Sequence, residues 1–207
     1  MSLRVWDERV LPRLTDRRLR APELGELRRA VCSGLTGRVL EIGFGSGLNV
    51  PWYPPQVTSV TAVEPSDLAW ELSAPRRASS DVRVDRGGLD GQRLDLPDAS
   101  HDGALVTFSL CTVPDPLLAL REARRVVREG GRLHALEHGL APDETVRRWQ
   151  RRMEPLQRAT AGGCHLTRDI VALLEGSGWR VEDREQAYLP GPALARPWTY
   201  VYRLVAG

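Results

Sequence analysis

Residues 39–49, with the sequence VLEIGFGSGLN, constrain the fold of this chain more than any other segment. A short run of β-forming residues leads into three glycines, Gly43, Gly45 and Gly47. Glycine lets a backbone turn with positive φ and lets a ligand approach without meeting a Cβ atom. In open α/β sheets such a turn lies at the carboxyl end of a strand, where ligands bind. The segment therefore predicts an α/β sheet with a ligand site beside its first turn.

Runs of β-forming residues alternate with helical patterns along the rest of the chain, which predicts a parallel sheet with right-handed crossovers. The last two runs have only a Pro/Gly-rich loop between them, so we expect them to pair antiparallel at one edge. We predict an α/β fold with a seven-stranded, mostly parallel sheet, an antiparallel edge strand and helices on both faces. The predicted strands cover residues 39–43, 57–63, 81–84, 104–110, 132–137, 179–188 and 199–205, and one predicted helix covers residues 116–129.

The glycine spacing and two nearby acids indicate the kind of ligand. A dinucleotide site has the spacing G-x-G-x-x-G, and its amides meet a pyrophosphate, whereas this chain has G-x-G-x-G. Glu41, two residues before the first glycine, disfavours a pyrophosphate and suits a ligand that carries an ammonium group. Glu64 ends the second predicted strand, where an acid can accept hydrogen bonds from both ribose hydroxyls of an adenosine.

These motifs resemble those of the class I S-adenosylmethionine-dependent methyltransferases. VLEIGFGSG is similar to their first motif, VEPS to their second, and VVREGGRL to the turn before their fifth strand. Residues 89–102 resemble the region that contacts adenine, which implies a contact with the adenine amino group for Asp90 and packing beside the ring for Leu89. The resemblance covers residues 35–205 and implies a Rossmann-like fold, S-adenosylmethionine as cofactor and S-adenosylhomocysteine as product.

The expected cofactor site follows from this resemblance and from residue chemistry. Phe108 can pack on the adenine or on the sulfonium, because cations favour aromatic faces, or it can be an ordinary core residue. The complete set of acids favours a working site over a degenerate one. The residues expected to bind the cofactor are Glu41, Gly43, Gly45, Gly47, Asn49, Glu64, Pro65, Leu89, Asp90 and Phe108.

Four shorter strings have a narrower resemblance. NVPWYPP, SLCTVPDP, LEH and GGCHLTR are similar to strings of the methyltransferase-like alkyl-thiol methyltransferases and their bacterial relatives. This resemblance implies a small-molecule methyl acceptor, with a thiol as the specific expectation. The N-terminus has no hydrophobic stretch like the anchor of the mammalian members, so we expect no membrane anchor.

Methyl transfer is an in-line displacement in which the protein holds donor and acceptor about 3 Å apart and excludes water. A thiol with a pKa of about 8.5 is already partly ionised at neutral pH, whereas an alcohol or phenol needs a positioned base. His138, after the fifth predicted strand, is the candidate base, or it and Glu137 satisfy loop backbone or each other. Residues expected to line the acceptor pocket are Trp6, Tyr53, Cys111, His138, Trp149, Cys164, His165 and Arg168.

Two interpretations of residues 162–168 stay open. The loop closes over the site with Arg168 orienting an acidic substrate, or Thr167 caps the next helix while Cys164 fills a buried space. The three cysteines match no zinc spacing, and a site made of Cys164, His165 and His138 has no spacing signature. We therefore expect no metal.

Length and composition fit a single globular domain of 207 residues. We divide it into an N-terminal helical lid (1–34), a cofactor-binding core (35–140), a helical substrate-side segment (141–178) and a terminal strand pair (179–207). With 29 basic and 27 acidic residues the net charge is only +2, which gives no field that favours nucleic acid. The chain has no signal peptide or apolar membrane span, so we expect a cytoplasmic protein.

The primary hypothesis is methylation of a small, largely hydrophobic molecule at a thiol. The alternative within the same class is O- or N-methylation of a phenol, a quinone-type molecule or an amine. An NAD(P)-dependent oxidoreductase is disfavoured by the glycine spacing and by Glu41. A non-catalytic cofactor binder is the remaining possibility. The oligomeric state is not predicted.

Overall fold

The computed structural model describes residues 6–207. Within this range one sheet is built from β1 (Gly37–Ile42), β2 (Val57–Val63), β3 (Arg83–Gly88), β4 (His101–Thr107), β5 (Val127–His138), β6 (Val181–Tyr188) and β7 (Tyr200–Ala206). A π-helical turn at Trp6–Val10 precedes the helices, which are α1 (Leu11–Leu19), α2 (Pro22–Cys32), α3 (Asp67–Leu72), α4 (Ala74–Ala78), α5 (Pro116–Val126), α6 (Glu144–Thr160), α7 (Ile170–Gly176) and α8 (Arg196–Thr199).

The strand order is β3-β2-β1-β4-β5-β7-β6. The first five strands are parallel to one another, and β7 pairs antiparallel with both β5 and β6. The predicted fold class is confirmed. The antiparallel strand lies one position inside the edge, because the chain leaves β6 at the edge and returns through β7 beside β5.

Several element boundaries differ from the sequence-based prediction, including those of β3, which covers Arg83–Gly88 and not residues 81–84. The fourth strand ends at Thr107, because Phe108 adopts a left-handed backbone conformation with φ of 52°. The helix predicted over residues 116–129 ends at Val126, and Gly130 and Gly131, which follow the predicted helix in the sequence, lie inside β5. The apolar pattern of the sequence does not indicate that the strand ends before Phe108 or that the helix ends before Val127, because an apolar residue at either position is compatible with a strand and with a buried core.

The sheet is covered on both faces, and the alternation of side chains along β1 decides which residue meets which layer. Leu40 and Ile42 point into the core shared with α5 and α7. Val39 points into the opposite core, which contains residues of α2. Glu41 shares the face of Val39 and is fully buried. None of the helices within the described residues is both long and apolar enough to cross a membrane.

Candidate active site

The turn after β1 uses its three glycines in different ways. Gly43, Gly45 and Gly47 all have positive φ, at 72°, 59° and 74°. A Cβ atom at Gly43 would lie 1.8 Å from Ser109 Oγ, and one at Gly47 would lie 3.1 Å from Phe44. At Gly45 the nearest atom to such a Cβ would be 3.9 Å away. Gly43 and Gly47 thus permit packing, whereas Gly45 leaves room for a ligand.

A cavity of about 580 Å³ lies beside this turn. Its wall comes from the turn itself, the end of β2, the loops after β3 and β4, helix α1, Arg28 of α2 and the residues just after α6. Such a volume suits a ligand of cofactor size. Seven of the residues expected to bind the cofactor lie on this wall, namely Gly43, Gly45, Glu64, Pro65, Leu89, Asp90 and Phe108.

Glu64 is held at the end of β2 by backbone amides. Its Oε2 accepts a hydrogen bond from Gly45 N at 2.7 Å, and its Oε1 accepts one from Ser66 N at 2.8 Å. Burial raises the pKa of Glu64, and the two amides oppose that rise. Each carboxylate oxygen can accept a second hydrogen bond. The side chain is therefore fixed in place and still able to accept from two hydroxyls.

Leu89 and Asp90 form another part of the wall, in the loop after β3. Leu89 is 59% exposed, which leaves an apolar surface for a ring to pack against. Asp90 Oδ1 accepts from both the backbone and side-chain nitrogens of Gln92, at 2.9 Å each. These bonds lower the pKa of Asp90, so its carboxylate is ionised. They also hold the backbone of the loop in a turn between Asp90 and Gln92.

A buried polar network lies behind the glycine turn and includes residues that the sequence placed in direct contact with ligands. Asn49 Nδ2 donates to Glu41 Oε1 and to Thr107 Oγ1, at 2.9 Å each, and the Tyr53 hydroxyl donates to Glu41 Oε2. Arg28 Nη1 donates to Asn49 Oδ1 at 2.6 Å. Burial raises the pKa of Glu41 to about 7, against the effect of the Tyr53 and Asn49 hydrogen bonds.

The structure therefore places Glu41, Asn49 and Tyr53 behind the wall of the cavity and not on it. The reason is the strand alternation, which turns Glu41 towards α2. Gly47 is also absent from the wall, because it packs against Phe44. Arg28, which the sequence analysis missed, does reach the wall, with its guanidinium 5.5 Å from the centre of the Phe108 ring.

Asp16 is a second residue that the sequence analysis missed. It lies in α1, is buried, and accepts hydrogen bonds from Ser46 Oγ at 2.7 Å and from Arg76 Nη2 at 2.9 Å. Burial by itself would raise the pKa of Asp16, but Ser46, Arg76 and Arg20 lower it below its usual range. Asp16 thus fastens α1 to the glycine turn. In the sequence Asp16 stands beside Arg17 and Arg18, and mixed charges of this kind are typical of a solvated helix face.

The residues expected to line the acceptor pocket lie elsewhere, although all eight are in the described range. None of them is on the cavity wall. Trp6 donates from Nε1 to Thr160 O at 2.9 Å. Trp149 lines a separate groove of about 650 Å³ with Trp198. The expectation of one shared aromatic pocket thus does not match the geometry, because these tryptophans lie on different surfaces.

Three of those eight residues come together behind the wall. His138 Nε2 lies 3.0 Å from Cys164 Sγ, and the ligand atoms of Cys111, His138 and Cys164 all lie within 4.8 Å of one another. Hydrogen bonds from Cys111 and His138 lower the pKa of Cys164. His138 therefore faces Cys164, and the structure does not bring it to the wall as a base.

Glu137 and the loop over residues 162–168 have structural partners. Glu137 Oε1 accepts from Ser109 N at 2.7 Å and Leu110 N at 3.1 Å, so it satisfies loop backbone, one of the interpretations left open. Arg168 donates to the carbonyl oxygens of Leu110 and Val113.

Glu154 fixes the same loop by accepting from Thr167 and pairing with His165 Nδ1 at 2.9 Å. The interpretation of Thr167 as a helix cap is wrong, because Asp169 caps α7 by accepting from Ala172 N at 3.1 Å.

The wall fits S-adenosylmethionine. Glu64 can accept from two ribose hydroxyls, Leu89 offers a surface for the adenine, and Asp90 can accept from its amino group. Arg28 suits the carboxylate of the methionine part, and the room beside Gly45 would be lost to any side chain there.

Comparison with known proteins agrees with this geometry. The Methyltransferase domain family matches residues 40–135. Rat thiol S-methyltransferase TMT1B is 34% identical over 137 residues, covering 63% of this chain and 55% of that protein. Human thiol S-methyltransferase TMT1A is 30% identical over 179 residues, covering 82% and 72%. This chain thus spans only about half of the rat relative.

A solved structure of another methyltransferase has a similar fold. It is a methyltransferase from Thermotoga maritima described as a possible histamine N-methyltransferase, 22% identical, with a TM-score of 0.69 and 99% of each chain covered. The chain belongs to the class I S-adenosylmethionine-dependent methyltransferases.

Proposed function

We propose that this chain transfers the methyl group of S-adenosylmethionine to the sulfur of a small, largely hydrophobic thiol. The observation that carries the choice of sulfur is that the cavity wall formed by residues 6–207 holds no histidine. Its two buried carboxylates, Asp16 and Glu64, already accept hydrogen bonds from Ser46 and from backbone amides. An acceptor oxygen would need a base positioned to take its proton. A thiol ionises readily in water and needs mainly to be held in line.

The relatives support the same acceptor, since two proteins described as thiol S-methyltransferases match most of this chain. The shape of the wall also supports a hydrophobic molecule. Much of the surface contributed by α1, the loop after β4 and the end of α6 is apolar, namely Leu11, Pro12, Val113, Pro114 and Ala161.

The bound cofactor supplies an electrophilic methyl group on a sulfonium. The residues of this chain do the binding and positioning. Glu64 and Asp90 fix the adenosine end, Arg28 meets the carboxylate end, and α1 closes the cavity against water through the Asp16 contact with Ser46. The thiol proton passes to solvent before transfer, so the chain needs no acid–base residue at the sulfur.

The test is a competition among matched acceptors. The purified chain is incubated with S-adenosylmethionine carrying a deuterated methyl group and, in separate tubes, an alkyl thiol, the corresponding alcohol, the corresponding amine, thiophenol and phenol. We expect transfer to the two thiols, detected by mass spectrometry, with a rate that rises with pH as the thiol ionises. Transfer to phenol or amine but not to either thiol would refute the proposal.

A Glu64→Ala variant serves as the control for the cofactor site. It should lose S-adenosylhomocysteine binding and transfer together. If the parent chain binds S-adenosylhomocysteine but methylates none of the five acceptors, the choice of acceptor is wrong while the cofactor site stands.

A further inference from the structure

A cluster of metal-ligating side chains lies just behind the cavity wall and has no part in the function proposed above. Cys111 is in the loop after β4, His138 is the last residue of β5, and Cys164 is in the loop between α6 and α7. Segments that are far apart in sequence bring these side chains to one point, with all ligand atoms within 4.8 Å of one another.

The donor set and its spacing match zinc. Zn²⁺ prefers thiolate sulfur and imidazole nitrogen, and with bonds of about 2.3 Å and 2.0 Å its tetrahedral ligand atoms lie about 3.5–3.8 Å apart. The His138 Nε2 to Cys164 Sγ distance is 3.0 Å, and the upper bound on the others is 4.8 Å. Side-chain movements of about 1 Å would therefore complete the geometry.

The surroundings hold the three residues in place. Cys111 and Cys164 are only 2% and 6% exposed, and His165 N donates to Cys111 O at 2.8 Å, which ties the two loops together. His165 is not part of the cluster, because the ligand atoms that lie within 4.8 Å of one another are those of Cys111, His138 and Cys164. The set that the structure assembles therefore differs from the trio considered in the sequence, with Cys111 in the place of His165.

We propose that Cys111, His138 and Cys164 bind a Zn²⁺ ion, with a water molecule in the fourth position. Two thiolates balance the charge of the ion, and the thiol protons pass to solvent on binding. The neighbours of the ligands in sequence, Thr112 and Gly162, lie on the cavity wall. The ion therefore joins the loop after β4 to the loop after α6 and sets the distance between these two parts of the wall.

The first test uses the unmodified chain. The metal-free protein is titrated with Co²⁺, which has visible absorption bands in a tetrahedral site and thiolate-to-cobalt charge-transfer bands in the near ultraviolet. We expect both sets of bands to saturate at one Co²⁺ per chain and to disappear when Zn²⁺ is added. Saturation without charge-transfer bands, or no binding of either ion, would overturn the proposal.

The second test assigns the ligands. Cys111→Ser, His138→Gln and Cys164→Ser should each weaken Zn²⁺ binding by at least about 100-fold, since changes in outer-shell residues alone cost about 10–100-fold. Cys32→Ala and His165→Gln are matched controls and should keep the parent affinity. Equal losses in the controls, or full affinity in the three ligand variants, would contradict the assignment. Circular dichroism and S-adenosylhomocysteine binding confirm that each variant is folded.

Discussion

Replacing Glu64 by glutamine tests the cofactor site with the smallest change of shape. The carboxylate accepts one hydrogen bond from the Gly45 amide and one from the Ser66 amide. A glutamine side chain must turn its NH₂ group towards one of these donors, so one amide loses its acceptor. The same substitution removes one of the two oxygens that would accept from the ribose.

The magnitude follows from these two losses. A hydrogen bond to a charged group contributes about 1.5–3 kcal/mol, and an unsatisfied buried donor costs about 1–3 kcal/mol. Part of the second loss is present with and without ligand, so we expect binding of S-adenosylhomocysteine to weaken by about 2–4 kcal/mol. At 1.4 kcal/mol for each factor of ten, this is roughly a 30- to 1,000-fold increase in Kd.

The assay is isothermal titration calorimetry with S-adenosylhomocysteine at a temperature where circular dichroism shows both proteins folded. Asp67→Asn is the control, because it removes an acid three residues away whose side chain is 85% exposed and pairs with Arg86. The control should change Kd less than about threefold, as expected for an exposed ion pair. A Kd for Glu64→Gln within threefold of the parent would refute the assigned role of Glu64.

Three further predictions concern folding and closure. Gly43→Ala should lower the free energy of unfolding by about 2–4 kcal/mol in urea titrations, because of the clash with Ser109 and the positive φ. Gly45→Ala should lower it by only about 1–2 kcal/mol but should abolish S-adenosylhomocysteine binding. A larger loss of stability in Gly45→Ala than in Gly43→Ala would contradict the roles given to the two glycines. Asp16→Ala should speed amide hydrogen exchange in α1 by at least about tenfold, since a lost charged hydrogen bond costs about 1.5–3 kcal/mol, and unchanged exchange would show that α1 is held by other contacts. Burial raises the pKa of Glu41 to about 7 from its ordinary value of 4.5. Between these two pH values the native state binds more protons than the unfolded state, so the free energy of unfolding should fall as pH rises through this window. Glu41→Gln should remove part of that fall in urea midpoints measured from pH 5 to 8, and an unchanged slope would assign the fall to other groups.

The fold and the position of Glu64 and Asp90 on the cavity wall could be predicted from the sequence because their signals are local. The glycine turn, Glu64 and Asp90 each follow a strand, and parallel strands bring such positions to one edge of a sheet. The position of Glu41 was also encoded, since strand alternation separates it from Leu40 and Ile42. The sequence-based expectation that Glu41 contacts the cofactor used only its distance from Gly43 along the chain and not this alternation.

The acceptor side could not be predicted in the same way. Cys111 and Cys164 are brought together by tertiary packing of two loops, and no spacing in the sequence reports that contact. Trp149 lies on a helix whose exposed face carries it to another groove. Aromatic residues at several points of a sequence do not indicate whether they share a surface, because that depends on the rotation of each helix about its axis.

The position of β7 between β5 and β6 has a consequence for how the chain assembles during synthesis. The segment that forms β6 leaves the ribosome before β7, yet within the described residues its sheet neighbour is β7. A sheet of β1 to β5 can form first, and until β7 arrives the backbone of β5 stays unpaired on one side, where another chain could add to it. We therefore expect the final hairpin to join as one unit, and pulse-labelled hydrogen exchange during refolding should show β6 and β7 gaining protection together.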